Sequence, residues 1–374
     1  MKKILTVFGT RPEAIKLVPV ILELKKKTDV QTRVCVTAQH RQMLDQVLAL
    51  FGIVPDVDLD LMMPDQTLAK LTGRVISRLD QVFKEERPDI VLIQGDTTTV
   101  MAAAMAAFYN KIPVGHVEAG LRSNNLYSPF PEEMNRRVVS IFTHFHFAPT
   151  KNAKDALLRE QVPEERIFVT GNTVIDALNM ILQKPMPLVV REILNRAEIN
   201  ENGDNRKMIL VTAHRRENFG EGFESICQGL KRLVERNADV VIVYPVHLNP
   251  NVQQPVKRIL KGQERVLLVE PVEYDAMAHL MNTASVILTD SGGIQEEAPA
   301  LGKPVLVMRV ETERPEGVEA GTARLVGPYA ERIVEEAERL LHDETAYEEM
   351  AVAVSPYGDG RAAERIVQIL LSNI

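Results

Sequence analysis

Short, mostly apolar runs recur along this chain, and each stops at a polar or glycine-bearing turn. In the first half they lie at 4–8, 33–37, 90–93, 112–117, 145–148 and 167–169. Helical apolar spacing over 14–27, 40–51, 67–86, 100–109 and 152–160 fills most of the gaps between them. Strands alternating with helices predict an α/β fold, a parallel sheet doubly wound by helices. Every polar turn in this series follows a strand. All such turns share one edge of the sheet, where ligands bind in open α/β folds.

The alternation breaks at 184–207, which holds Pro185, Pro187 and the polar run 200–205, and is partly helical over 189–197. It resumes with strands at 208–212, 240–244, 266–269, 286–289 and 305–307, and helices at 222–236, 274–281 and 294–300. A chain of 374 residues is too long for one small core. Two doubly wound, Rossmann-like domains facing a cleft are predicted, the cleft being the usual place for a ligand. A terminal helix at 361–371 suits either half.

Composition excludes several classes. A net charge of −7 argues against a general nucleic-acid binder. No apolar run approaches a membrane span, and the N-terminal run is too short for a signal peptide. The two cysteines, Cys35 and Cys227, build neither a disulfide framework nor a Cys-rich metal site. A cytoplasmic protein is expected.

The candidate site residues sit in the strand-end turns. The stretch 116–137 leaves a strand through Glu118 and Gly120, crosses a loop with Pro129 and Pro131, and opens a helix with Glu132, Glu133, Arg136 and Arg137. Acids favour a helix start, and a salt-bridged surface loop would share these letters. Thr289-Asp290-Ser291-Gly292-Gly293 lies between a strand and a helix. Ser291 is placed to cap the helix, Gly292 and Gly293 let backbone N–H groups approach an anion, and the helix end adds positive charge. That is a phosphate cradle, although not a Walker loop. Glu296 or Glu297, one turn on, is placed to accept hydrogen bonds from ribose hydroxyls. The bland alternative is a tight turn with a capping serine and two solvated acids.

Other turns are less specific. Arg11 and Lys16 either reach a diphosphate or are solvated charges. Asp96, in Gly95-Asp96-Thr97-Thr98-Thr99, is an acid or base, or the cap of the next helix. His214 ends a strand beside Arg215 and Arg216 and reads as functional. His247 ends another strand, equally suited to ligand contact and to packing. His144 with His146, and His116 with Glu118, have no third ligand nearby, so packing is the reading and no metal is expected. Gly358-Asp359-Gly360-Arg361-Ala362-Ala363 matches a dinucleotide fingerprint in letters but follows no strand. Gly9-Thr10-Arg11 stands where the first strand would need that fingerprint, so neither NAD nor another cofactor is expected.

Taken together, Phe8-Gly-Thr-Arg-Pro-Glu-Ala-Ile-Lys16, Gly95-Asp-Thr-Thr-Thr99, His116-Val-Glu-Ala-Gly-Leu-Arg122, Pro131-Glu-Glu-Met-Asn-Arg136, Thr212-Ala-His-Arg-Arg-Glu-Asn218, Tyr244-Pro-Val-His-Leu-Asn-Pro250 and Asp290-Ser-Gly-Gly-Ile-Gln-Glu-Glu-Ala-Pro299 resemble the bacterial non-hydrolysing UDP-N-acetylglucosamine 2-epimerases. The resemblance runs in order along essentially the whole chain. It implies the two-domain glycosyltransferase-B fold, with 1–172 plus 358–374 as the N-terminal domain and 173–357 as the UDP-binding domain. The terminal helix then belongs to the first domain.

The resemblance also implies conversion of UDP-GlcNAc to UDP-ManNAc by elimination of UDP and its re-addition. It places Asp96, Glu118, Glu132, Arg136 and His214 at catalytic positions. It places Arg11, Lys16, Ser291, Gly292, Gly293, Glu297 and Arg314 at nucleotide contacts, with His247 added from its strand-end position. Gln39, His40, Gln42 and Gln66 match a site where some relatives bind a second UDP-GlcNAc as activator. A homodimer is implied, serving cell-envelope polysaccharide synthesis. Two departures stand out: the side chains around Val272 and Met277, near the uracil contacts, and Ser123-Asn124 where relatives commonly have Thr-Gly. Asn tolerates a positive φ less freely than Gly. The competing readings are a retaining glycosyltransferase of the same fold, a hydrolysing epimerase, and a catalytically silent nucleotide-sugar sensor.

Overall fold

A computed structural model describes the chain except residues 39–40, 62, 64–65 and 201–205, and except the side chain of Gln42. Most of the polar run 200–205 therefore lies outside the described residues. The chain forms two compact units, Met1–Ala177 with Tyr357–Ile374, and Leu178–Pro356.

The first unit is built on seven strands: β1 (Lys2–Phe8), β2 (Val30–Val36), β3 (Val57–Asp58), β4 (Ile90–Gln94), β5 (Val114–Val117), β6 (Phe145–Ala148) and β7 (Ile167–Val169). They lie in the order β3-β2-β1-β4-β5-β6-β7, every neighbour parallel. β4 is buried at every position and β1 from Ile4 onward. Strands covered on both faces need continuous apolar runs rather than alternation, which is why their sequences read as they do. Helix Thr98–Tyr109, rich in alanine, is buried nearly all round and packs against helix Leu68–Glu86. Small side chains permit that approach.

Strand order reverses between β1 and β4. The turns after these two strands, Gly9-Thr10 and Gly95-Asp96, flank that switch point, where a parallel sheet opens a crevice at its carboxyl edge.

The second unit has six strands: β8 (Lys207–Thr212), β9 (Val240–Pro245), β10 (Val266–Val269), β11 (Val286–Thr289), β12 (Val305–Val307) and β13 (Ala323–Leu325). Their order is β10-β9-β8-β11-β12-β13, again parallel throughout. The switch point falls between β8 and β11, so the turns carrying His214 and Ser291 are neighbours. Thr212 and Thr289 hold the two strand ends together through a hydroxyl–hydroxyl bond of 2.6 Å.

Several elements lie where the sequence analysis assigned none. They are β3, β13 and the helices Thr173–Leu182, Pro250–Leu260, Pro315–Glu319, Ala330–His342 and Glu344–Ala351. Helix Arg11–Lys25 starts earlier than its apolar stripe because Thr10 and Glu13 initiate it, Glu13 accepting the Thr10 N–H at 2.7 Å. His144 precedes β6 and is exposed, whereas His146 is buried within it, so the two do not share a strand face.

The terminal helix, Ala362–Asn373, packs on helix Arg11–Lys25 in the first unit. Asp176 accepts its first N–H groups, from Ala362 at 3.2 Å and Ala363 at 2.9 Å. The glycine-rich letters before it serve packing. Gly358, at φ +125°, lies so close to Gly171 that an added Cβ would sit 3.3 Å from the Gly171 Cα.

Candidate active site

In the first unit three strand-end turns converge on two carboxylate hubs. Glu13 is buried, and its Oε2 accepts N–H groups from Gly9 (2.8 Å) and Thr10 (2.7 Å). Its Oε1 accepts the Thr97 hydroxyl at 2.5 Å. Burial pushes its pKa up against those hydrogen bonds. One side chain thus ties the turn after β1 to the turn after β4.

Glu118 follows β5. It is 9% exposed and adopts a left-handed backbone, φ +64°, a conformation that costs a non-glycine residue roughly 1–3 kcal/mol. Its carboxylate takes the Lys16 ammonium and the Asn172 amide (3.1 Å) on Oε1 and the Gln94 amide on Oε2. Two amides and an ammonium thus fix the position of one carboxylate. The imidazole of His116, beneath it, bonds the Gly95 carbonyl through Nε2 at 2.7 Å. Burial lowers its pKa to about 4, so it is neutral. His116 is a packing residue, as is His146, whose pKa burial lowers to about 3.

A third hub is the Arg136 guanidinium. Its Nε and Nη2 reach Asp96 Oδ2 at 2.9 and 2.7 Å, and its Nη1 reaches Glu133 at 3.3 Å. Asn135 adds a bond from its amide to the Asp96 carbonyl at 2.8 Å. Glu133 is fully buried and accepts the backbone N–H groups of Ser123 (2.9 Å) and Asn124 (3.2 Å) and the Arg137 Nε (3.2 Å). Burial opposes its ionisation, but the Ser123 N–H and the two arginines outweigh that, and its pKa is lowered. Asn124 sits at φ +60°, so the Ser123-Asn124 departure retains a turn that glycine would adopt. Glu132 opens helix Glu132–Phe142, with one buried carboxylate oxygen that has no hydrogen-bond partner among the described residues. Asp96, Glu118, Glu132, Arg136, Lys16 and Arg11 all stand on turns or helix starts at this one edge.

In the second unit the hub is Asp290, fully buried at the end of β11. Its Oδ2 accepts the N–H groups of His214 and Arg215, both at 2.8 Å. The His214 Nδ1 lies 3.4 Å from its Oδ1. The His214 ring stacks on His247, centroids 5.5 Å apart and planes 16° from parallel. Burial lowers the His214 pKa, Asp290 opposes the shift, and His247 and Arg215 add to it.

Helix Gly292–Ala300 begins just beyond. Ser291 stands at its N-cap, but its hydroxyl makes no capping bond. The first N–H groups of a helix have no partner within it, and the two glycines set no side chain of their own over them. The Glu313 carboxylate approaches from the loop after β12, with Oε1 2.8 Å from where a Gly292 Cβ would lie, and it pairs with Arg215 at 3.1 Å. Glu296 pairs with Arg314, and Glu297 accepts the Tyr274 hydroxyl at 2.9 Å. Both acids are buried, not solvated.

Gln39 and His40 lie outside the described residues, as does the Gln42 side chain; Gln66 accepts a bond from Arg74 at 3.3 Å. No cluster of three or more metal-ligand side chains occurs among the described residues. Nor is any helix there long and apolar enough to cross a membrane.

Sequence reasoning missed the roles of Glu13, Gln94 and Asn172 in the first unit and of Glu313 in the second; it placed Glu133 and Asp290 within the right turns but gave them no part. Thr10-x-x-Glu13 carried a helix-start signal. Asn172 had no local signal.

A family model described as UDP-N-acetylglucosamine 2-epimerase matches residues 22–371. A Salmonella typhimurium protein named UDP-N-acetylglucosamine 2-epimerase is 57% identical over 374 residues, covering 99% of this chain and 98% of its own. The solved Neisseria meningitidis UDP-GlcNAc 2-epimerase, bound to UDP-GlcNAc, superposes with a TM-score of 0.88 at 52% identity, covering 99% of this chain and 100% of its own. The Methanocaldococcus jannaschii UDP-GlcNAc 2-epimerase gives 0.85 at 35% identity, with the same coverage. Matched over 99% of its length by relatives of 57% and 52% identity, the chain belongs to the UDP-N-acetylglucosamine 2-epimerase family.

Proposed function

We propose that this protein interconverts UDP-GlcNAc and UDP-ManNAc by breaking and remaking the bond between the sugar and UDP. The observation that carries the reading is the full-length match to UDP-GlcNAc 2-epimerases; each unit by itself presents groups that fit it, the Asp96, Glu118 and Glu132 carboxyl groups in the first and the Ser291-Gly292-Gly293 helix start in the second. The C2 proton of the sugar is not acidic. If the C1–O bond breaks first, its electron pair leaves on UDP and positive charge develops at C1. The C2 proton then passes to a carboxylate, C1 and C2 become doubly bonded, and 2-acetamidoglucal forms. In the return, a proton reaches the opposite face of C2 and a UDP oxygen attacks C1.

Each set of residues has a part. The first N–H groups of helix Gly292–Ala300 and the Ser291 hydroxyl hold the diphosphate, which the helix end favours electrostatically. Arg11, Arg314 and His247 add contacts, and Glu297 takes the ribose hydroxyls. Lys16, paired with Glu118, is assigned to the diphosphate by its place in the family's motif. Asp96, Glu118 and Glu132 carry or stabilise the proton transfers. Arg136 orients Asp96, and His214 delivers a proton to the departing UDP.

The reading extends to a cytoplasmic homodimer that supplies ManNAc-containing envelope polysaccharides and takes a second UDP-GlcNAc as activator. Phe108, Tyr109 and Ile141, each more than half exposed on adjacent helices, support self-association. The chemistry is tested with UDP-GlcNAc carrying 18O in the sugar–phosphate bridge. Scrambling of the label into non-bridging positions supports departure and return of UDP. Retention of the label in recovered substrate and product refutes it.

A further inference from the structure

We propose that Asp290 and His214 form a dyad in which the buried carboxylate fixes the tautomer of the imidazole and supports its protonated form. This rests on the reading of His214 as the proton donor to the departing diphosphate, and it makes Asp290 a positioning residue for that donor.

The geometry is specific. Asp290 is fully buried. Its Oδ2 is engaged by two backbone N–H groups at 2.8 Å, with the Asn218 amide at 3.5 Å. Its Oδ1 is buried with no hydrogen-bond partner among the described residues, a costly state for a carboxylate oxygen. The His214 Nδ1 stands 3.4 Å from that oxygen. A proton on Nδ1 satisfies it, and separations of this kind tighten when a site is occupied. Nε2 is then left to exchange a proton with substrate. The His247 ring, stacked on the face of the imidazole, holds its plane.

The charges around the ring make the carboxylate necessary. Burial, His247 of the turn after β9 and Arg215 of the same loop all oppose protonation of His214, and Asp290 alone among these favours it. Glu313 from the loop after β12 is occupied by Arg215 and Arg309. In the forward direction, Nε2–H passes its proton to an oxygen of the leaving β-phosphate as the C1–O bond breaks. The neutral ring recovers that proton when UDP adds back, so the cycle balances.

The test compares D290N, H214Q and the double variant by steady-state kinetics with UDP-GlcNAc across pH. An asparagine keeps an oxygen for the backbone N–H groups but presents an amide to Nδ1, which favours the other tautomer. D290N should lower kcat by roughly 100- to 10,000-fold, leave KM within about threefold, and move the alkaline limb of kcat to lower pH. The double variant should lose no more than H214Q. If H214Q loses activity while D290N keeps both kcat and its alkaline limb, the dyad is wrong. Multiplicative losses in the double variant also overturn it. An H214Q enzyme with unchanged kcat refutes instead the role given to His214. Should D290N not fold, 15N-histidine NMR of the unaltered protein decides. A neutral His214 protonated on Nδ1 supports the dyad, and one protonated on Nε2 overturns it.

Discussion

Gly293→Ala separates what the fold requires from what the ligand requires. A Cβ added at Gly293 would lie 3.6 Å from Glu297 Oε1 and 3.9 Å from Ser291 Oγ, both ordinary contacts. Its backbone is helical, so alanine carries no conformational penalty. Glycine inside a helix costs about 0.5–1 kcal/mol relative to alanine, so the substitution should stabilise the second unit by about 0.5 kcal/mol. That raises its melting temperature by roughly 1–2 °C for a unit of this size. If the helix N–H groups hold a diphosphate, the new methyl stands in its path. Losing one or two charge-assisted hydrogen bonds costs about 3 kcal/mol, or roughly 100-fold in affinity. Scanning fluorimetry and titration calorimetry with UDP measure the two effects independently. A UDP affinity within threefold of the parent protein would refute the cradle. A fall of several degrees in melting temperature would refute the view that the glycine is there for the ligand.

Three further outcomes follow from the first unit. Glu133→Gln removes a buried charge shared by two arginines and two backbone N–H groups; chemical denaturation should show a loss of about 3 kcal/mol, with kcat falling as Arg136 loosens from Asp96. Asn124→Gly should leave kcat unchanged and stability within about 0.5 kcal/mol, whereas Asn124→Val, a β-branched residue at φ +60°, should cost about 1–2 kcal/mol. His116 has a folded pKa of about 4 against 6.5, so the unfolded chain binds its proton first and stability falls as pH drops from about 6.5 to 4, levelling off below. His116→Gln, which keeps a donor for Gly95, should flatten that window by up to roughly 3 kcal/mol in pH-dependent denaturation.

Much of the architecture is legible in the sequence for a physical reason. Parallel strands are covered on both faces, so β4 and β11 appear as unbroken apolar runs, and the turns at their ends carry their own local chemistry. β3 has only two residues, and β13, Ala-Arg-Leu, has a charged residue at its centre where β7 and β12, of the same length, are wholly apolar. Pro255 disguises helix Pro250–Leu260. Helix Ala330–His342 buries Ala330, Ile333, Val334, Ala337, Leu340 and Leu341, a stripe visible in the sequence but not assigned there.

The site divides the same way. Ser291-Gly292-Gly293 is recognisable because a helix start is a local object. Asn172 reaches Glu118 across 54 positions, and Asp290 reaches His214 across 76. Those hubs exist only once the strand order is known. Glu13 is the intermediate case: its helix-start pattern was readable, but its bond to Thr97 across 84 positions was not.

The central claim is that C2 of the sugar loses and regains its proton while UDP is detached. Incubating the protein with UDP-GlcNAc alone in heavy water tests it most directly. Deuterium at C2 of both recovered UDP-GlcNAc and newly formed UDP-ManNAc is the predicted result. Recovered UDP-GlcNAc with no deuterium at C2 and no UDP-ManNAc would contradict the account.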